Sequence, residues 1–289
     1  MFFKDRDGLC NIIACLSLVV LVATGCEKKP AGGAAPAGGD AGGTAQPGTG
    51  EGSGAATATT PPGGKTKLDP ASVTDGGSVT GTVTLTGSAP TPTAVNMQAK
   101  PECAALHTTQ VPAENLLVGD GGGLKDVFVQ ISGGLESYDF DPPSEPAVID
   151  QKGCIYIPHV FGISVGQDLE IRNSDEFLHN VKVNDNHPLN LPMTKPGTLL
   201  KEEWFKREGV PTTFQCEVHP WMRAYACVVD HPYYAVTVED GKFTIDNLPA
   251  GKYKVSVWHE VFPGLKAPAE QEVEVKAGEA ATVNFEYSI

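Results

Sequence analysis

In the stretch "SVTGTVTLTG", which runs from Ser78 to Gly87, apolar and polar side chains alternate. Val79, Val83 and Leu85 fall on one parity, and threonines fall on the other. Successive side chains of a β-strand point to opposite faces, so this period of two is typical of a strand that buries one face. The stretch therefore predicts a β-sandwich strand whose apolar face lies in the core.

The same alternation recurs along the chain in "KDVFVQI" (125–131), "DLEIRN" (168–173), "HNVKVN" (179–184), "KYKVSVW" (252–258) and "VNFEYS" (283–288). Turn sequences such as "DGK" and "PAGK" separate these segments, and no long segment has helical periodicity. We therefore predict an all-β fold of the sandwich type. The segment "LLKEEWFKRE" (199–208) fits either a short helix or a strand that enters a turn at Gly209.

The N-terminus has the features of a secretory signal. Lys4 and Arg6 precede an apolar run that is too short for a comfortable membrane span and ends in "LVATGC". Small residues before a cysteine resemble a bacterial lipobox, so residues 1–25 are predicted to be a lipoprotein signal peptide, with Cys26 acylated. The alternative is an ordinary signal cut nearby. In both cases we expect export to the periplasm or cell envelope, with lipidated Cys26 as the membrane anchor in the first.

Residues 26–73 consist largely of Gly, Ala, Pro and Thr. Such a segment has too little apolar surface to offset the entropy of ordering it, so we interpret it as a disordered, flexible tether. The chain carries a formal net charge of −14, which disfavours nucleic acid as a partner and favours a basic one.

The chain has seven cysteines, of which Cys10 and Cys15 lie in the predicted signal and Cys26 is predicted to be acylated. The exported chain keeps four, which are Cys103, Cys154, Cys216 and Cys227. Four cysteines outside the cytoplasm allow two disulfides in three connectivities. A Cys216–Cys227 bridge would exclude a metal, but one continuous strand after Met222 would carry Cys227 away from Cys216. We favour Cys103–Cys154 as the structural bridge.

A second cysteine motif favours a metal. The segment "FQCEVHPWM" (214–222) places Cys216, His219 and Met222 in a C-x2-H-x2-M spacing. A thiolate, imidazoles and a weak axial thioether are the ligands that select copper. A complete site needs a second imidazole from a neighbouring strand, and His179 opens the alternating segment "HNVKVN".

Two segments resemble the cupredoxins, the small blue-copper proteins of the amicyanin and plastocyanin type: "PHVFGISVGQDLEIRNSDEFLHNV" (158–181) and "FQCEVHPWMRAYACVVD" (214–230). The resemblance implies a Greek-key sandwich over residues 146–231 with one type 1 copper site. It implies that His179, Cys216 and His219 are equatorial ligands and that Met222 is axial. It also implies that Asn180 braces the cysteine loop and that the His219 edge, near the surface, passes electrons.

The segment "VTVEDGKFTIDNLPAGKYKVSVW" (236–258) resembles a second family, the carboxypeptidase regulatory-like domains, whose sandwich is transthyretin-like. The resemblance implies that residues 232–289 belong to this sandwich. Residues 74–145 would supply its first part, and the cupredoxin would then be inserted between them. The alternative is two domains in series, with residues 74–145 forming N-terminal strands of the cupredoxin.

We expect a membrane-tethered electron carrier that works with a basic redox protein such as a cytochrome, and not an enzyme. Gln215 and Glu217 flank Cys216, where copper enzymes with a second catalytic copper usually place a histidine. One alternative is a metal-free envelope lipoprotein that binds carbohydrate or protein. Another is a copper store or chaperone, which the four methionines disfavour. No role is assigned to the remaining histidines, which are His107, His159, His187, His231 and His259. Among these, His231 and His259 could form a weak second metal site with Glu260.

Overall fold

The computed structural model describes residues 64–91, 93–184, 188–209, 211–260, 265, 266, 268 and 270–289. The predicted signal peptide, Cys26 and the tether up to residue 63 lie outside the described residues. The prediction that the tether extends to residue 73 is wrong at its end, because Thr66–Lys67 forms a strand that pairs with Tyr138–Asp139. In the part of the chain that is described, no helix is long and apolar enough to cross a membrane.

The regular secondary structure of the described residues is almost entirely β-strand, which confirms the predicted all-β fold. The strands are β1 Thr66–Lys67, β2 Gly77–Thr86, β3 Phe128–Gly133, β4 Tyr138–Asp139, β5 Ala147–Lys152, β6 Ile155–Ile157, β7 Val160–Ser164, β8 Leu169–Asn173, β9 His179–Val183, β10 Leu189–Met193, β11 Gly197–Lys201, β12 Thr212–Gln215, β13 Arg223–Val229, β14 Tyr234–Val236, β15 Lys242–Leu248, β16 Gly251–Trp258, β17 Gln271–Val275, β18 Ala280–Thr282 and β19 Phe285–Ser288. One short α-helix, α1, spans Pro101–Ala104, and 3-10 turns span Pro70–Ser72 and Asp120–Gly122.

Strands β5 to β13 form a sandwich that we call the central sandwich. One of its sheets has the order β10-β9-β12-β13-β7, and the other has the order β11-β8-β5-β6. The ambiguous segment 199–208 begins as the end of strand β11 and continues into a turn. Most neighbours are antiparallel, but β7 runs parallel to β13 and β5 runs parallel to β8.

The remaining long strands form a second sandwich, which we call the flanking sandwich. One sheet has the order β14-β3-β16-β17, and the other has the order β15-β2-β18, with β19 also paired to β2. Strands β2 and β3 precede the central sandwich in the chain, whereas β14 to β19 follow it. The flanking sandwich therefore pairs strands that precede the central sandwich in the sequence with strands that follow it.

The apolar positions of the alternating segments lie in two separate cores, as the period of two predicts. The flanking core takes Val79, Val83 and Leu85 from β2, together with Val127, Val129, Ile131, Tyr253, Val255, Val283, Phe285 and Tyr287. The central core takes Leu169, Ile171, Val181 and Val183. Burial of these faces supplies the main driving force for forming each sandwich.

A third, smaller cluster joins the two sandwiches. Cys227 and Tyr225 of β13 are buried there with Phe128 of β3, and Tyr234 and Trp258 pack against them. The Phe128 and Tyr234 rings are 5.3 Å apart between centroids. The contact is apolar and buried, so it holds the two sandwiches against each other.

Candidate metal centre

The site residues meet at one end of the central sandwich because of strand direction. Strand β9 begins at His179, and strand β12 ends at Gln215, just before Cys216. The two strands are antiparallel neighbours, with Lys182 opposite Gln215. The start of β9 and the loop after β12 therefore lie side by side, and residues far apart in sequence come into contact.

Three metal-binding side chains converge at this end. The Nδ1 atoms of His179 and His219 are 3.0 Å apart, and the Cys216 Sγ lies 3.7 Å from His219 Nδ1. One potential ligand atom from each of the three residues falls within 4.8 Å of the others. Cys216 carries a free thiol, as does Cys227. The structure thus brings together the thiol and both imidazoles that the sequence analysis proposes as equatorial ligands.

The loop after β12 is closed by its own backbone. The Cys216 amide donates to the Met222 carbonyl at 3.3 Å, and the Met222 amide donates to the His219 carbonyl at 2.9 Å. Met222, the proposed axial ligand, is fully buried in the same core as Cys216. A short loop with two internal bonds holds its three potential ligands in one compact turn.

Asn180 bonds to the cysteine loop, in the bracing role that the resemblance implies. Its backbone amide donates to the Cys216 Sγ at 3.4 Å, and its side-chain oxygen accepts from the Glu217 amide at 3.3 Å. Its side-chain amide also donates to the Asn190 side chain at 2.6 Å. These bonds fix the sulfur relative to strand β9, as bonds around the ligands of metal sites commonly do.

Asp175 is a residue of this centre that no sequence motif reveals. Its buried carboxylate lies 2.8 Å from the Nε2 of His179 and also accepts from the amides of Gly153 and Cys154, at 2.8 and 2.9 Å. A carboxylate on the far nitrogen of a histidine fixes the ring and leaves Nδ1 free for a metal. The sequence places this carboxylate four residues before His179, but the spacing alone does not show that the two side chains are in contact.

Burial keeps both imidazoles neutral. Desolvation, together with the charge of the neighbouring His179, lowers the pKa of His219 to about 4. Desolvation also lowers the pKa of His179, although the hydrogen bond to Asp175 opposes this effect. A neutral imidazole has a lone pair to offer, so at neutral pH the two rings and the Cys216 sulfur form a donor set that suits copper.

The ring of His219, whose edge the resemblance places near the surface, is covered by other side chains. His219 is only 1% exposed, because Trp221, Phe177 and a disulfide surround it. The disulfide joins Cys103 of helix α1 to Cys154 in the turn after β5, and it is the bridge that the sequence analysis favours. The Trp221 indole donates to the Cys154 carbonyl at 2.9 Å, which ties the copper loop to this cover.

The other described histidines are not among the three residues that converge at this centre. His159 contacts Glu260 at 2.6 Å between Nε2 and Oε1, between the two sandwiches. His107 contacts the Gly153 carbonyl. His231 packs against Phe140, whereas His259 packs against Tyr287, and His187 lies outside the described residues. The weak second site considered for His231, His259 and Glu260 is not among the potential metal groups of the described residues.

Comparison with solved structures finds chains similar to this one. A copper-containing nitrite reductase from Thermus scotoductus SA-01 is 20% identical, with a TM-score of 0.28, and the match covers 32% of this chain. This chain spans about a quarter (26%) of the length of that reductase. A purple cupredoxin from Nitrosopumilus maritimus is 23% identical over 29% of this chain and 99% of its own, with a TM-score of 0.25.

Amicyanin from Paracoccus versutus is 19% identical, with a TM-score of 0.27, over 35% of this chain and 97% of its own. A family model described as polysaccharide lyase family 4, domain II matches residues 212–283, which run from β12 to just beyond β18. No curated protein matches the chain. The likeness to the carboxypeptidase regulatory-like family stays a prediction, and the case for a metal centre rests on the donor geometry.

Proposed function

We propose that the chain binds one copper ion through His179, Cys216 and His219, with Met222 as a weak axial ligand, and carries single electrons. The observation that carries this proposal is the convergence of one thiol and two neutral imidazoles on one buried point. Copper held there would supply reversible one-electron exchange between Cu(II) and Cu(I).

The surroundings of the donors suit a carrier better than an enzyme. The potential ligands are almost fully buried, and Asn180, Asp175 and the Cys103–Cys154 disulfide enclose them. A preorganised and enclosed ligand set changes little when one electron moves, whereas a catalytic metal needs an open position for substrate. We propose electron transfer without turnover of a substrate.

The net charge of the chain and its predicted lipid anchor lead to proposals for the redox partner and the location. A net charge of −14 would steer a basic redox protein, such as a cytochrome, toward the chain. An acylated Cys26 and the part of the predicted tether that precedes strand β1 would hold the folded part near a membrane in the cell envelope. A metal-free binding module and a copper store are the competing functions.

The test is a Cu(II) titration of the full-length chain, followed by visible absorption and electron paramagnetic resonance. An intense thiolate-to-copper band should saturate at one equivalent and disappear in Cys216→Ser. Cys227→Ser is the matched control, because it removes the other buried free thiol and should keep the band.

Absence of the band in folded, reduced protein would favour the metal-free module. If the band is present, voltammetry separates an electron carrier from a copper store. A carrier gives a reversible one-electron couple, whereas a store holds Cu(I) without one.

A further inference from the structure

A second group of metal donors lies against the first. The sulfurs of Cys103 and Cys154 and one ring nitrogen of His219 all fall within 4.8 Å of one another. The two sulfurs are joined in a disulfide, and the thiolate is the form of cysteine that binds metals. Reduction would turn the same two atoms into the soft donors that Cu(I) prefers.

An independent observation on His219 points to a ligand. Its Nε2 is buried and has no hydrogen-bond partner among the described residues. Buried polar atoms are nearly always paired, so an unpaired one needs an explanation. The Nδ1 of the same ring faces His179 and Cys216, so Nε2 is the nitrogen left for a second ion once it has no proton.

We propose that Cys103, Cys154 and His219 form a second site, for Cu(I) or another soft monovalent ion, which exists only after the disulfide is reduced. A dithiol donor would supply two electrons and two protons. The S–S bond breaks, two thiols form, and the donor becomes a disulfide. Binding of the ion then releases the thiol protons. When the Nδ1 lone pair of His219 already holds the first copper ion, binding at Nε2 also releases the ring proton, because a neutral imidazole has only one lone pair. The site shares His219 with the proposed copper centre but uses neither Cys216 nor His179.

The fold gives a reductant a route to this disulfide. Cys103 is the buried residue of helix α1, and Pro101, Glu102 and Ala104 on the same helix are exposed. A single-turn helix opens at a small free-energy cost compared with unfolding of a sandwich. Opening of α1 would expose the disulfide while the strands of the central sandwich stay paired.

The experiment counts Cu(I) equivalents in the full-length chain, against a coloured Cu(I) chelator and without oxygen. Every sample carries Cys10→Ser, Cys15→Ser and Cys26→Ser, so that thiols outside the described residues do not contribute. One half of each sample is treated with a phosphine reductant, which is then removed. Alkylation and mass measurement count the thiols in both halves.

We expect two additional thiols after reduction, and a rise from one Cu(I) equivalent to two. The double variant Cys103→Ser, Cys154→Ser should bind one equivalent with or without reductant. The double variant His179→Ala, Cys216→Ser should bind none when oxidised and one when reduced. This last result would stand even if the electron-carrier proposal failed, so the two proposals can be overturned separately.

Three outcomes would overturn the inference. The folded chain could gain no thiols in the reductant, or the reduced chain could bind no more Cu(I) than the oxidised one. The second equivalent could also persist without Cys103 and Cys154, or disappear in Cys227→Ser, which would place it on a different thiol. The comparison of oxidised and reduced protein that carries only the three N-terminal substitutions needs no mutation at the site, so misfolding of a site variant does not affect it.

Discussion

At the scale of single residues, Asp175 connects the proposed copper centre with the turn that holds the disulfide. One carboxylate reaches His179 on strand β9 and two amides of the turn after β5. An amide side chain in its place would turn an N–H group toward one of these donors. The carboxylate is therefore the group that satisfies all three contacts at once.

Replacing Asp175 by Asn should lower copper affinity by about 10- to 100-fold, since His179 loses the group that orients its ring. Competition with a chelator measures the affinity. Glu176→Gln is the matched control, because it removes the same charge from the neighbouring exposed residue and should leave the affinity unchanged. Equal losses in the two variants would mean that long-range charge, and not the contact to His179, sets the affinity.

At the scale of elements, strands β7 and β14 come so close that one position admits no side chain. A Cβ at Gly162 would lie 2.1 Å from the ring of Tyr234. This is an approach between strands of the two sandwiches, and the ring fills the space that the glycine leaves. The two sandwiches can therefore pack in this way only because residue 162 has no side chain.

Gly162→Ala should destabilise the protein by about 1–3 kcal/mol, the usual cost of overpacking. Denaturant unfolding measures the change, and the cost should be smaller in a Tyr234→Ala background, where the clashing ring is absent. Gly197→Ala, at a strand glycine with open space around it, is the control. An equal cost for Gly162→Ala in both backgrounds would contradict the proposed clash.

At the scale of the whole molecule, one buried ionic contact joins the two sandwiches. His159 precedes β7, and its Nε2 lies 2.6 Å from Glu260, which follows β16. Its Nδ1 lies 3.0 Å from the Arg223 carbonyl and 3.5 Å from Glu114. Burial alone would lower the pKa of His159, but Glu114 and Glu260 outweigh this effect and raise it to about 10.

This raised pKa predicts the pH dependence of stability. The folded protein holds the His159 proton more tightly than the unfolded chain, in which an ordinary histidine pKa is near 6.5. The stabilisation is therefore complete below about pH 6.5 and is lost as the pH rises through about 10. The free energy of unfolding should fall in this window relative to His159→Gln, by on the order of 2 kcal/mol.

Urea unfolding across pH 6 to 10.5 measures the difference between the two proteins. His107→Gln is the control, because that ring contacts a backbone carbonyl, and it should follow the unsubstituted protein. A constant difference between the protein and His159→Gln across the window would show that the contact does not depend on the proton.

The sequence by itself determined the alternating strands, their buried faces and the local part of the site. Alternation in segments such as "SVTGTVTLTG" specifies which side chains face a core, because the strand period is two. The spacing of Cys216, His219 and Met222 brings them into one loop without help from the rest of the chain. His179 could be chosen as a candidate because it opens an alternating segment.

Only the tertiary structure decided what surrounds those residues. The burial of His219 beneath the Cys103–Cys154 disulfide, the carboxylate of Asp175 on His179 and the pairing of His159 with Glu260 all depend on which strand ends meet. Local periodicity carries no information on such contacts, because sheet pairing and the packing of two sandwiches join positions that are distant in sequence. The physical reason is that the environment of a side chain is set by neighbours in space, and those neighbours exist only once both cores have formed.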